Sequence, residues 1–401
     1  MAQQSRDWSD RPRAGLTRRS LLLGLGALSL GSALTGCNRS ATADLRVDLL
    51  RGSIPPQLPG DFRKSLNAAI RLNFVSVPQL STLFAQLQTW AAHATLPHAA
   101  SPSPADNIAD LVTLGDFWLA AAIQQQLIQP LPLADLAGWQ QLGEAWQQLV
   151  RRNDQGIPDA QGAIWAAPYR WGSVAIAYRK DKFDSLGWVP ARWEDLWRPE
   201  LRGRISLLDS PRTVIGIVLK RLGQSVNTEN PAAVPDLVST LAALHQQTRF
   251  YSSTAYLQPL LLADTWVAMG WSTDLLPIVQ RDSRIEAIVP EPGTIVFADL
   301  WVRPVGAVEK PRQPTSLFTQ WIDFCWSKEV ALSLSLLSDA ASPILTTLDR
   351  RTLPSGVQSN PLLLPAAEIL ERSEFLLPVS TATIEQYGRL WRDLRVPVKS
   401  S

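Results

Sequence analysis

Residues equipped for covalent or metal chemistry are few in this chain. Its 401 residues include two cysteines and three histidines, His93, His98 and His245. The histidines lack metal-ligand spacing, so neither a zinc site nor a histidine general base is expected. No Gly-x-Ser-x-Gly or His-Glu-x-x-His segment occurs, which leaves a hydrolase without its nucleophile or its metal. Cys325 lies in the apolar helical stretch Trp321-Ile322-Asp323-Phe324-Cys325-Trp326 and reads as a buried, inert thiol. No cofactor is implied. What remains is non-covalent chemistry by carboxylates and aromatic rings. Asp116 before Phe117 and Asp209 before Ser210-Pro211 read first as helix caps, and Asp274 as a helix-start residue. Trp271, in a Gly270-Trp271-Ser272 turn, reads as a site residue more than as core.

The elements that must position these residues follow from periodicity. Leu80, Leu83, Phe84, Leu87 and Trp90 fall on helical spacing, which predicts an amphipathic helix over 79–92. Strands are expected at 108–113, 165–178, 205–208, 266–271, 285–289 and 294–302. Helices are expected at 117–126, partly within 131–150, at 193–197, over 317–337 and at 383–394. Residues 101–104, Ser-Pro-Ser-Pro, read as a loop. Asp209 or Ser210 is a good N-cap and Pro211 suits a first helical turn. Strand, tight turn and capped helix at 205–219 make an α/β unit.

The N-terminus has a separate logic. Arg18-Arg19 precede a run of Leu, Gly, Ala and Ser from Leu21 to Leu34, which ends in Leu34-Thr35-Gly36-Cys37. A basic flank, a short apolar core and small residues before a cut site describe an export signal, and the arginine pair suggests the twin-arginine route. The run is shorter than the roughly 18 residues of a spanning helix. Leu-Thr-Gly-Cys resembles the lipobox of bacterial lipoproteins, which makes Cys37 the expected lipidation site. Residues 1–36 hold five arginines and two aspartates. Taking these from the chain's 38 basic and 36 acidic residues leaves 33 and 34. The remainder is thus nearly neutral, with no basic stripe for nucleic acid. It is long enough for two lobes of ordinary domain size.

Five segments in order carry a family resemblance: Ala167-Pro168-Tyr169-Arg170-Trp171-Gly172, Trp193 to Ile205, Leu208-Asp209-Ser210-Pro211-Arg212, Gly270-Trp271-Ser272 and Pro290-Glu291-Pro292-Gly293-Thr294. Their order resembles the periplasmic spermidine/putrescine-binding proteins of ABC importers. The resemblance covers 165–345 well and 105–130 weakly. It implies an α/β fold of the two-lobed, type II periplasmic-binding kind, with two crossover strands near 172–175 and 296–300 and an interlobe cleft. On this reading residues 1–36 are the signal and 37–44 a tether. Residues 45–172 and 300–345 form one lobe and 173–299 the other, with 346–401 a C-terminal helical segment packed on both. The implied protein is no enzyme. It is an extracytoplasmic monomer held to the membrane by its lipid, capturing a small solute for an inner-membrane permease.

A polyamine needs carboxylates for its ammonium groups and apolar or aromatic walls for its methylenes. Carried over one by one, the family's ligand positions fall as follows. Trp271 matches an aromatic wall, Phe297 a Trp, Asp299 an amine-binding carboxylate and Phe117 a Tyr. Ser210 and Thr213 stand where the family has acids. The late Tyr position lands near Ala340, and two early aromatics have no match around Gly52 to Pro55. Asp116, Asp209 or Asp274 could restore the lost charge. The departures imply a small amine or a less charged solute, and weaker binding of spermidine or spermine. A different, less charged solute on the same fold, a sensory or structural lipoprotein with a degenerate cleft, and a secreted hydrolase are the competing readings.

Overall fold

A computed structural model describes residues 44–66, 69–94, 108–308 and 316–395. The leader, Cys37, His98 and the loop 101–104 lie outside the described residues. In chain order the strands are β1 Leu45–Leu50, β2 Leu72–Val77, β3 Leu111–Gly115, β4 Ile128–Gln129, β5 Arg151–Arg152, β6 Ala163–Ile164 and β7 Ala167–Arg179. There follow β8 Ile205–Leu207, β9 Thr248–Tyr251, β10 Val267–Trp271, β11 Ile285–Ile288, β12 Ile295–Pro304 and β13 Glu374–Phe375.

One path of pairing runs β2-β1-β3-β12-β7-β10-β8-β9. β1 is parallel to β2 and β3, which needs helical crossovers, and Leu58–Ser65 and Leu80–Ala94 supply them. β12 then runs antiparallel between β3 and β7. The 13-residue β7 is buried along its whole length because it serves two cores in turn. Ala167 to Ser173 pair with β12, and Val174 to Tyr178 pair with β10. Its far end also takes β11 on the other side. A strand covered on both faces reads as a near-continuous apolar run, and from Val174 to Tyr178 it does so.

The apolar cores divide where β7 changes partner. One gathers residues between Leu45 and Trp171 with others between Val296 and Leu364. The other gathers Val174 to Ile295, together with Tyr387 and Trp391. A smaller cluster lies on the opposite face of the second sheet, where Ala175, Ala177 and Leu275 meet Leu362 and Leu363. The molecule is therefore two-lobed, with β7 and β12 crossing between the lobes. Cys325 lies fully buried in the first core, and burial pushes its thiol pKa up.

The helix Pro211–Arg221 begins where the sequence places it, with Ser210 extended and Pro211 in the first turn. The capping differs from expectation. Ser210 Oγ bonds to Thr213 Oγ1 at 2.8 Å and caps no amide. Asp209 is neither a cap nor free for a ligand. Its Oδ1 accepts from Trp391 Nε1 at 3.2 Å and from Arg395 Nη2 at 2.7 Å, both on the final helix Thr381–Arg395. That guanidinium also lies over the Tyr251 and Trp391 rings.

Two glycines set close approaches near the crossing. A Cβ on Gly172 would lie 2.7 Å from both Phe297 Cζ and Ser272 Oγ, and one on Gly270 would overlap the Tyr256 ring. Tyr256 Oη accepts from the Trp271 amide at 3.1 Å and donates to Asp274 Oδ2 at 2.7 Å. Gly270→Ala must therefore move a buried ring that holds both groups. A loss of roughly 1–3 kcal/mol is expected, the usual cost of overpacking, read as a lower denaturant midpoint at unchanged m-value.

Candidate ligand-binding site

The strand register brings four residues to one face of the crossing. On β12, Phe297 faces Gly172 and Asp299 faces Arg170 across the ladder to β7. A bulge follows at once, because the register shifts between Asp299 and Leu300, and bulges re-aim neighbouring side chains. On β10, Trp271 is opposite Val174, two residues beyond Gly172. Alternation along β7 puts Arg170, Gly172 and Val174 on the same face. With no side chain at Gly172, the Trp271 and Phe297 rings meet edge to face, centroids 5.0 Å apart at 73°. Ser272 Oγ accepts from the Ser173 amide at 3.0 Å and ties the start of the helix Ser272–Arg281 to the crossing strand.

Asp299 is the polar centre of this face. On one side its register partner is Gly115, the last residue of β3, so Asp116 follows directly. On the other, Arg170 Nε donates to Asp299 Oδ2 at 2.5 Å, and Arg170 Nη1 donates to the Ser338 carbonyl at 3.2 Å. Both partners are deeply buried, with Arg170 10% and Asp299 4% exposed in their side chains. Burial alone would lower the Arg170 pKa, but Asp299, Tyr169 and the field of Asp274 outweigh it and the net shift is upward.

Asp116 begins a single 3-10 turn, Asp116–Trp118, and its Oδ1 accepts from the Phe117 amide at 2.9 Å. Burial pushes its pKa up to about 7. Backbone amides of Ala298 and Phe117 and the charge of Arg152 oppose that rise, while the nearby Asp299 adds to it. Arg152 is itself pulled down to about 10 by burial. Asp274 sits in the first turn of its helix and is also raised by burial, against its bond from Tyr256 and the charge of Arg170.

The expected site residues are thus distributed unevenly. Trp271, Phe297 and Asp299 come together, with Asp116 within electrostatic reach. Phe117 is 54% exposed and packs on Trp118, centroids 4.5 Å apart. The Ser210 and Thr213 hydroxyls hydrogen-bond to each other at the helix start. Sequence reasoning did not single out Arg170, Tyr256 or Ser338. A signal existed for Arg170: it is the one charged residue within Ala167–Tyr178, and a buried charge demands a partner. Nothing in the sequence says that this partner lies 129 positions away.

Comparison with known proteins places the chain in a family. A spermidine/putrescine-binding periplasmic protein of Salmonella typhimurium is 23% identical over 368 residues, covering 91% of this chain and 96% of its own. A putrescine/cadaverine-binding protein of Pseudomonas aeruginosa is 23% identical over 246 residues, 59% of this chain and 68% of its own. The solved spermidine/putrescine ABC transporter substrate-binding protein of Streptococcus pneumoniae superposes with a TM-score of 0.72 at 18% identity, covering 88% of this chain and 98% of that one. A lipoprotein of Treponema pallidum superposes with a TM-score of 0.61 at 18% identity, over 88% and 99%. These likenesses give the two-lobed type II fold. Residues 106–363 match the family model of the bacterial extracellular solute-binding proteins, and the chain belongs to that family.

Proposed function

We propose that the chain is the solute-capturing component of an ABC importer, and that it closes its lobes over a small aliphatic amine. The observation that carries this reading is the joining of a Trp271–Phe297 wall to the buried Asp299 on one face of the crossing strands. Rings take methylenes and cation–π contact, and a carboxylate takes an ammonium. The names of the relatives support an amine as ligand. The charges limit its size. Asp116, Asp274 and Asp299 face Arg152 and Arg170, so three acids against two guanidiniums leave one net negative charge when all are ionised. One ammonium balances that charge, and a diamine exceeds it by less than a triamine or tetramine, whose extra ammoniums would stay hydrated or be desolvated at a cost.

Titration calorimetry with putrescine, cadaverine and spermidine tests the reading. Asp299→Asn removes the central acid and leaves Arg170 uncompensated. Diamine affinity is expected to fall by roughly 2–5 kcal/mol, and diamine binding unchanged in this variant would refute the site.

Asp116 gives a pH dependence. With a folded pKa of about 7, above the ordinary carboxyl value, protonation stabilises the fold fully below about pH 4, and that stability is lost as pH rises through 7. Aliphatic amines stay charged over this range, so ionising Asp116 adds attraction for them. Putrescine is expected to bind several-fold more tightly at pH 8 than at pH 6, while the unliganded protein melts at a lower temperature at pH 8. Asp116→Asn should flatten both profiles.

We further propose that residues 1–36 are an export signal and that Cys37 carries a lipid holding the protein to the membrane outside the cytoplasm. No helix among the described residues is long and apolar enough to cross a membrane. Cys37→Ala should leave the precursor unprocessed or release the protein from the membrane fraction. Retention of a processed, acylated variant would contradict the assignment.

A further inference from the structure

We propose that Arg170 is a tethered cation occupying part of the amine site, and that it thereby fixes how many ammonium groups a ligand can bring. The inference rests on the amine reading above and adds a specificity-determining residue to it. The guanidinium lies where a ligand ammonium would be drawn. It is bonded to Asp299, the central acid of the crossing face, and electrostatically coupled to Asp274, the acid of the opposite lobe. Its attachment is built. β7 and β12 hold Arg170 and Asp299 in direct register, the Ser338 carbonyl takes Nη1, and the side chain is 10% exposed.

The geometry is that of a shared acid. Nε engages Asp299 Oδ2 while Nη1 is turned aside to Ser338, so the guanidinium does not grip the carboxylate with both ends, as a strong bidentate pair would. The edge of the guanidinium shifted from the carboxylate leaves Asp299 able to serve a second cation. A positive charge fixed at this point repels any further ammonium brought close to it, and the repulsion is strong because the ion pair is buried. A ligand with one or two ammoniums can pair with Asp116, on which the opposing cation is Arg152, and share Asp274 with the guanidinium. One with three or four cannot place them all in this way.

Titration calorimetry on the folded protein and on Arg170→Met and Arg170→Gln tests this, with n-butylamine, putrescine and spermidine as probes. Arg170→Gln keeps a donor for Ser338 and guards against loss of fold in the Met variant, and melting curves verify both. The wild type is expected to bind spermidine at least tenfold more weakly than putrescine. In both variants the ratio of spermidine to putrescine affinity should rise at least tenfold, with n-butylamine gaining least. A merely structural Arg170 would change all three amines alike, and a constant ratio in both variants overturns the proposal while leaving the amine reading intact. Wild-type protein that binds spermidine as tightly as putrescine overturns it as well. If neither the wild type nor the variants bind any of the amines, the amine reading falls and the proposal with it.

Discussion

The ion pair between Arg170 and Asp299 is the interaction on which the crossing depends. β7 must be apolar enough to lie inside two cores, yet it carries a guanidinium at the point where those cores meet. An unpaired arginine there would cost several kcal/mol. Asp299 neutralises it from the neighbouring crossing strand, in register and beside a bulge. The pair thus fixes the alignment of β7 against β12, the two strands that any relative movement of the lobes must bend. The same pair is the polar centre of the cleft face. Strand alignment and the charge of this face consequently depend on one contact.

Around that centre the second lobe is organised by hydrogen bonds to rings. The absence of a side chain at Gly270 lets Tyr256 lie against β10, and its hydroxyl joins the Trp271 amide to Asp274. The aromatic wall and one of the acids share this support, so neither is free to reorient alone. On the first lobe Asp116 is held differently, by backbone amides and by burial. One acid is therefore fixed by a phenol and the other by backbone amides, and burial raises the pKa of both.

Much of this was legible in the sequence, and the limits are physical. The run from Trp165 to Tyr178 announces a long buried strand because Arg170 is its one charged residue. Ser210-Pro211 announces a helix start, since proline costs nothing where no intrahelical amide bond is due. Trp271 could be placed because a glycine before it and a serine after it mark a turn. The partners of charged groups were not legible. Asp209 looks like a cap locally, but Arg395 and Trp391, more than 180 residues on, take its oxygens. Local pattern carries no information about such pairings, because the register that creates them is set by tertiary packing. Phe117 shows the converse. Its residue type announces no fixed partner, and it lies half in solvent against its neighbour Trp118.

The final helix has a temporal meaning. Tyr387 and Trp391 complete a core whose other members run from Val174 to Ile295, and Arg395 closes on Asp209. Between them and that core the chain returns to the crossing, where β13 adds itself to β12 and Glu374 pairs with Lys220 at 2.9 Å. During synthesis the second lobe consequently waits with an open apolar flank until about a hundred further residues have been made. Domains elsewhere fold as they emerge from the ribosome, N-terminal parts first. Here the lobe in the middle of the chain is the last to be sealed, and it is sealed by the last helix described. A chain cut short before Thr381 would lack Tyr387, Trp391 and Arg395 and leave that flank uncovered.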